Sequence, residues 1–261
     1  MLDQLKARIE ELKQRADLIS AELDEKRVKV VAELNEKFAQ KPPEPADQIP
    51  PVMEDIQATE PVEMLIFGHS FIHRLSTFLC KSHGPFHNLG LNFELGTVTW
   101  YGVGGLDIMS AMNHHLDVIK QHRPTLMFLQ LGTNDIGERE KPVEYFVQLL
   151  EDFTRILKHL GVKFIYVGEV IKRGEHKDNC KTPPFSQRVA AFNKALKAAF
   201  NGTAIPNVMV WEHRNLRSPD PAYLDKDGVH LNNAGSIRYY RSLRGAMLNG
   251  LKRMGRTLHH D

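Results

Sequence analysis

Apolar and polar positions change rhythm twice along this chain. In residues 1–40 the side chains Leu2, Leu5, Ile9, Leu12, Ala16, Ile19 and Leu23 recur at alternating spacings of three and four, with Lys, Arg, Glu and Asp between them. That is about three heptads of a and d positions, the stripe by which helices pair. After Leu23 the register falters: Lys26 takes the next d site, and Val30, Val31, Leu34 and Phe38 fit only with a shift. A lone helix with so narrow a stripe is marginal in water. Residues 1–40 are therefore expected to form a coiled-coil helix that builds a homo-oligomer; the alternative is an amphipathic helix lying on the globular body. Residues 41–61 break the rhythm with Pro42, Pro43, Pro45, Pro50, Pro51 and Pro61 among mostly polar or acidic positions, the composition of an extended, semi-rigid linker.

From residue 62 short apolar runs alternate with segments of helical spacing. The pattern predicts strands at 62–67, 93–100, 126–131, 163–167 and 208–211, and helices near 71–81, 107–121, 142–160, 186–200 and 234–254. The helix after Pro142 is well signalled. Val143, Phe146, Leu149, Leu150, Phe153 and Leu157 line one face, and Gly161 stops it. Strict alternation of strand and helix implies a parallel sheet covered on both faces. One domain is expected over 62–254, with a tail at 255–261. Ligands of such sheets bind beyond the carboxyl ends of the strands.

Composition narrows the class. The 261 residues are 42% hydrophobic, ordinary for a globular protein. The net charge of +2 is unevenly spread: residues 1–60 hold 9 basic against 14 acidic side chains, the remainder 25 against 18. A mildly basic body tolerates anionic partners without demanding one. Cys80 and Cys180 have no paired spacing, which excludes a disulfide scaffold and a Cys-based zinc site. No apolar run approaches the roughly 20 residues that span a bilayer, and the N-terminus lacks a signal-peptide h-region. A cytoplasmic protein is expected.

Three short segments carry candidate chemistry. Gly68-His69-Ser70-Phe71 follows the first predicted strand, Gly132-Thr133-Asn134-Asp135 the third, and Asp227-Gly228-Val229-His230 lies near the C-terminal end. They supply a hydroxyl nucleophile, an amide donor, and an imidazole with a carboxylate three residues before it. Ser70 at a strand-to-helix turn is either a nucleophile backed by helix amides or a helix N-cap. Asn134 is either an oxyanion donor or a turn residue. Gly102-Val103-Gly104-Gly105 follows the second strand and can offer an unobstructed backbone N–H.

In this order, over roughly residues 62–250, these blocks resemble the SGNH (GDSL-like) hydrolase family. The resemblance implies a three-layer α/β/α sandwich with a five-stranded parallel sheet. It implies a catalytic triad of Ser70, Asp227 and His230. It also implies an oxyanion hole made of the Ser70 N–H, the Gly105 N–H and the Asn134 side chain. No metal or organic cofactor is implied; the substrate is a small acyl ester. The family's first block usually reads Gly-Asp-Ser, and here His69 stands in the middle, where it is a candidate to bind an anionic group of the substrate. More narrowly, Ile66–Phe71, the Gly102–Gly105 turn and Asp227–Asn232 followed by Tyr239-Tyr240-Arg241-Ser242 are similar to the esterase-type domains of transposon-derived animal proteins, and the layout is similar to that of the first open-reading-frame proteins of some LINE-type retrotransposons, which place a coiled coil ahead of such a domain.

Other features read as background. His114-His115 point to different faces of a predicted helix, against a shared metal site. Arg238, Arg241, Arg244, Lys252 and Arg253 give the last helix a basic face, either solvated or in contact with nucleic acid or acidic lipid. The basic loop 172–184 is expected to rim the site. The sequence thus points to a serine esterase. The rival is a weakly active or inactive scaffold that oligomerises through residues 1–40 and binds RNA. An acyltransferase using the same triad is a third reading.

Overall fold

The computed structural model describes residues 60–82, 84–172, 174, 183–201, 205–216 and 221–256. The expected coiled coil, nearly all of the linker, most of loop 172–184, Cys180 and the end of the tail lie outside the described residues.

Five strands form one parallel sheet: β1 (Val62–Gly68), β2 (Gly96–Gly102), β3 (Leu126–Gln130), β4 (Phe164–Gly168) and β5 (Val208–Trp211), in the order β2-β1-β3-β4-β5. The helices are α1 (Ser70–Ser82), α2 (Ile108–His114), α3 (Leu116–His122), α4 (Val143–His159), α5 (Phe185–Asn201) and α6 (Asn233–Arg253). Strand residues alternate between the two faces, as a period of two requires. Leu65, Phe67, Met127, Leu129, Ile165 and Val167 join a core with Ile108, Ile119, Phe146, Phe153 and Phe192 of α2 to α5. Met64, Ile66, Leu126, Phe128 and Tyr166 join the opposite core with Ile72, Leu75, Tyr239, Leu243 and Met247 of α1 and α6. Helix, sheet and helix make the three expected layers.

Two elements differ from expectation. β2 starts at Gly96, not at 93: Phe93 is 68% exposed, and the Glu94 amide bonds the Asn92 side chain in a turn. An aromatic residue that continues a strand pattern is here turned out to solvent. The single helix expected over 107–121 is two, broken at His115 (φ −124°, ψ 8°), whose ring bonds the Tyr101 hydroxyl at 2.9 Å. No Gly or Pro marks that break. No helix among the described residues is long and apolar enough to cross a membrane.

The topology decides where chemistry collects. β1 and β3 are neighbours inside the sheet, so the loops after them emerge side by side. At Gly68, the last residue of β1, a Cβ would lie 2.4 Å from the Gln130 carbonyl oxygen. Only glycine lets β1 leave the sheet that close to β3 and start α1 at once.

Candidate active site

Ser70 is the first residue of α1. Its Oγ lies 3.1 Å from His230 Nε2, across 160 positions of sequence, and His230 Nδ1 lies 2.6 Å from Asp227 Oδ2. The D-x-x-H segment is a tight turn that ties itself: Asp227 Oδ1 accepts from the amides of Val229 and His230. Burial alone would raise the Asp227 carboxyl. The His230 amide, the His230 ring and the Val229 amide outweigh it and hold the group well below the usual carboxylate range. An ionised Asp227 accepts a hydrogen bond from Nδ1–H, which leaves Nε2 as acceptor for the Ser70 hydroxyl.

The turn is anchored on three sides. Asp225 N donates to His230 O, Gly174 N to Gly228 O, and Arg74, one helical turn after Ser70, lies 3.5 Å from Asp225 and 3.9 Å from Asp227. Asn232 then caps α6 by accepting from the Gly235 amide.

The other two blocks approach from β2 and β3. The Val103 amide bonds the Gly68 carbonyl, which seats the Gly102–Gly105 loop beside the start of α1. Gly105 is exposed, its φ of +75° lies in the left-handed region, and nothing lies within 4 Å of where a Cβ would be. That backbone favours glycine and leaves its surroundings open. Asn134 donates from Nδ2 to the Leu106 carbonyl at 2.8 Å. The amide has a second N–H.

His69 corrects one expectation. It is only 1% exposed, and its Nδ1 accepts from the Phe71 amide at 3.4 Å. A ring so enclosed presents no face to an anionic substrate. Its place is structural, at the N-terminus of α1, with the Phe71 ring edge-on to both His69 and His230. Of the basic side chains on α6, Arg238 lies over the Tyr223 ring and Arg244 bonds the Leu89 carbonyl, so both are used within the domain. No group of His, Cys, Asp and Glu among the described residues is arranged to hold a metal.

Sequence reading missed two supports. Arg188 of α5 is buried and gathers the carbonyls of Ile136, Glu138 and Lys141 at 2.7, 2.7 and 2.9 Å, fixing the turn after Asn134. Asp135 is 6% exposed and accepts from the Ile108 amide. A charged residue within a helix's apolar pattern was the available signal for Arg188. For Asp135 it was a carboxylate beside the candidate Asn.

The fold has counterparts among solved structures. The chain shares its fold with a GDSL-like lipase from Bacteroides thetaiotaomicron (TM-score 0.57, 16% identity, 72% of this chain and 89% of that one). It also resembles Axe2, an acetylxylan esterase from Geobacillus stearothermophilus (0.54, 17%, 71% and 94%). A carbohydrate esterase family 3 structure from Talaromyces cellulolyticus is similar too (0.54, 14%, 74% and 99%). Comparison with curated protein sequences gives no match. The family described as GDSL-like Lipase/Acylhydrolase matches residues 67–236, which take in Ser70, Gly105, Asn134, Asp227 and His230. With that span, most of the chain's length, this protein belongs to the GDSL-like lipase/acylhydrolase family.

Proposed function

We propose that this chain is a serine esterase acting on short acyl esters. Ser70 Oγ attacks the ester carbonyl as its proton passes to His230 Nε2, and Asp227 stabilises the imidazolium through Nδ1. The oxyanion is held by the Ser70 N–H, the Gly105 N–H and the Asn134 carboxamide. Collapse expels the alcohol, which takes the proton from His230. Water, deprotonated by the same ring, then attacks the acyl-enzyme and returns Ser70. The observation that carries this reading is the Ser70–His230–Asp227 relay of 3.1 and 2.6 Å, built from segments 160 positions apart. The likeness of fold to an acetylxylan esterase makes acetyl esters the first substrates to try.

The test is hydrolysis of p-nitrophenyl acetate with fluorophosphonate labelling read by intact mass. Ser70→Ala is expected to lose at least about a thousandfold in kcat and all labelling. A Ser70→Ala protein as fast as wild type overturns the reading.

A second reading rests on the heptads of residues 1–40 ahead of the hydrolase domain: a cytoplasmic, transposon-type assembly protein that oligomerises and binds RNA. A wild-type oligomer that retains RNA at low salt and takes up no fluorophosphonate favours this second reading over the first.

A further inference from the structure

Asp135 takes no part in the chemistry above, yet it is a buried carboxyl at the edge of the site. Its Oδ1 accepts from the Ile108 amide at 2.9 Å, and its Oδ2 has no hydrogen-bond partner among the described residues. Burial pushes its pKa up to about 7; the Ile108 amide works against that rise and the neighbouring Asp107 carboxylate adds to it. Such a group is costly to keep. Its bond to the Ile108 amide shows what it does.

Ile108 opens α2, and its N–H is one of the donors a helix start leaves without an internal partner. Asp107, the N-cap, satisfies the Ser110 amide; Asp135 satisfies the Ile108 amide. Next to Asp135 in sequence, Asn134 bonds the Leu106 carbonyl. Two adjacent residues of the β3 loop thus grip the β2 loop at Leu106 and Ile108, immediately after Gly105. The Gly105 backbone, exposed and in a left-handed conformation, has no side chain of its own to hold it.

Resting on the esterase reading above, we propose that Asp135 is a positioning residue of the oxyanion hole. It clamps the start of α2 to the Asn134 turn, so that the Gly105 N–H and the Asn134 amide converge on one point. It touches neither substrate nor Ser70. It acts on the barrier through the spacing of two donors, and displacing catalytic groups by about 1 Å is enough to cost on the order of a hundredfold in rate.

Two variants break the clamp from opposite sides. Asp135→Ala removes the acceptor. Ile108→Pro removes the donor at a position where a helix tolerates proline, and the preceding Asp107 (φ −99°, ψ 172°) already has the extended backbone that proline requires. On p-nitrophenyl acetate each folded variant is expected to lose about 10- to 100-fold in kcat, with KM within about twofold. Fluorophosphonate labelling of Ser70 should slow in parallel, since its tetrahedral oxygen uses the same donors. The pH at which the rate rises with deprotonation of the base should not move, because Asp227 and His230 are untouched. The double variant should be no slower than the worse single one, as expected of two halves of one contact. Asp135→Asn keeps the Oδ1 acceptor and should recover kcat to within about threefold of wild type.

Unchanged kcat in either folded single variant overturns the proposal, as does full additivity of the two losses. Should one variant fail to fold, the other decides alone. The two levels of inference separate cleanly. Full activity of Ser70→Ala removes the esterase reading itself. An inactive Ser70→Ala beside fully active Asp135→Ala and Ile108→Pro removes only the clamp.

Discussion

Among the described residues two histidines, His230 and His213, each meet a serine hydroxyl at nearly equal distances, and what their far nitrogens face sets them apart. His230 Nε2 lies 3.1 Å from Ser70 Oγ, and its Nδ1 faces the Asp227 carboxylate. His213 Nδ1 lies 2.9 Å from Ser242 Oγ, and its Nε2 lies 2.9 Å from Gln130 Oε1. Trp211 donates to the Ser242 oxygen and Tyr239 to Gln130 Oε1, while Gln130 Nε2 donates to the Glu169 carbonyl. Those partners assign the His213 proton to Nε2, the opposite nitrogen from His230. The buried network is complete and neutral. Complete burial drives the His213 pKa down to about 3, so its ring cannot retain a proton taken from a hydroxyl. A serine beside an imidazole is therefore not a catalyst by itself. The partner of the far nitrogen decides: a carboxylate stabilises the imidazolium, an amide oxygen without charge does so far less.

The strongest way to break this comparison is to delete each centre and read both rate and stability. His230→Ala should lower kcat by about a thousandfold or more with little change in melting temperature. Gln130→Leu should do the reverse. It strands the Nε2 proton of His213, the Tyr239 hydroxyl and the Glu169 carbonyl, at about 1 kcal/mol or more each, which a denaturant titration will show as a loss near 3 kcal/mol, with kcat per folded molecule retained. A Gln130→Leu protein as stable as wild type would mean the buried network is idle.

The subtlest contrast is with pH. A His213 pKa of about 3, below the ordinary histidine value near 6.5, means that acid favours the unfolded chain. Stability should fall as pH drops below about 6.5, a loss that continues down to about 3. Asp135 runs the other way. Its pKa of about 7 lies above the ordinary value of 3.8, so its contribution falls as pH rises from about 4 to 7. Between about pH 4 and 6.5 the two slopes oppose each other, each at most about 1.4 kcal/mol per pH unit. Measured against wild type, Asp135→Asn should tilt stability upward with rising pH in that window, and His213→Gln should tilt it downward. Equal tilts of one sign would refute the assignment.

The legibility of the two centres in sequence differs for a physical reason. The candidate site lies at strand ends and in tight turns, where glycine and short polar motifs punctuate the pattern, so Gly68, Ser70, Gly105, Asn134, Asp227 and His230 stand out. The layers were equally legible, because buried parallel strands write themselves as apolar runs. The buried network leaves almost no such mark. Gln130 is one polar residue ending an apolar strand, and nothing local ties it to His213, Tyr239 or Ser242. The break at His115 was equally invisible: no helix-breaking residue marks it, and the ring's partner there, the Tyr101 hydroxyl, belongs to another element. His69 misled because residue type suggested chemistry where burial allows none.

The separation between Ser70 and His230 also has a consequence for biosynthesis. The hydroxyl follows the first strand of the domain, and the imidazole comes only just before its final helix. On the esterase reading, a nascent chain halted anywhere before that turn has its serine already made but no base to activate it. On the proposed reading, turnover would thus require that the ribosome has passed the turn that closes this domain's site.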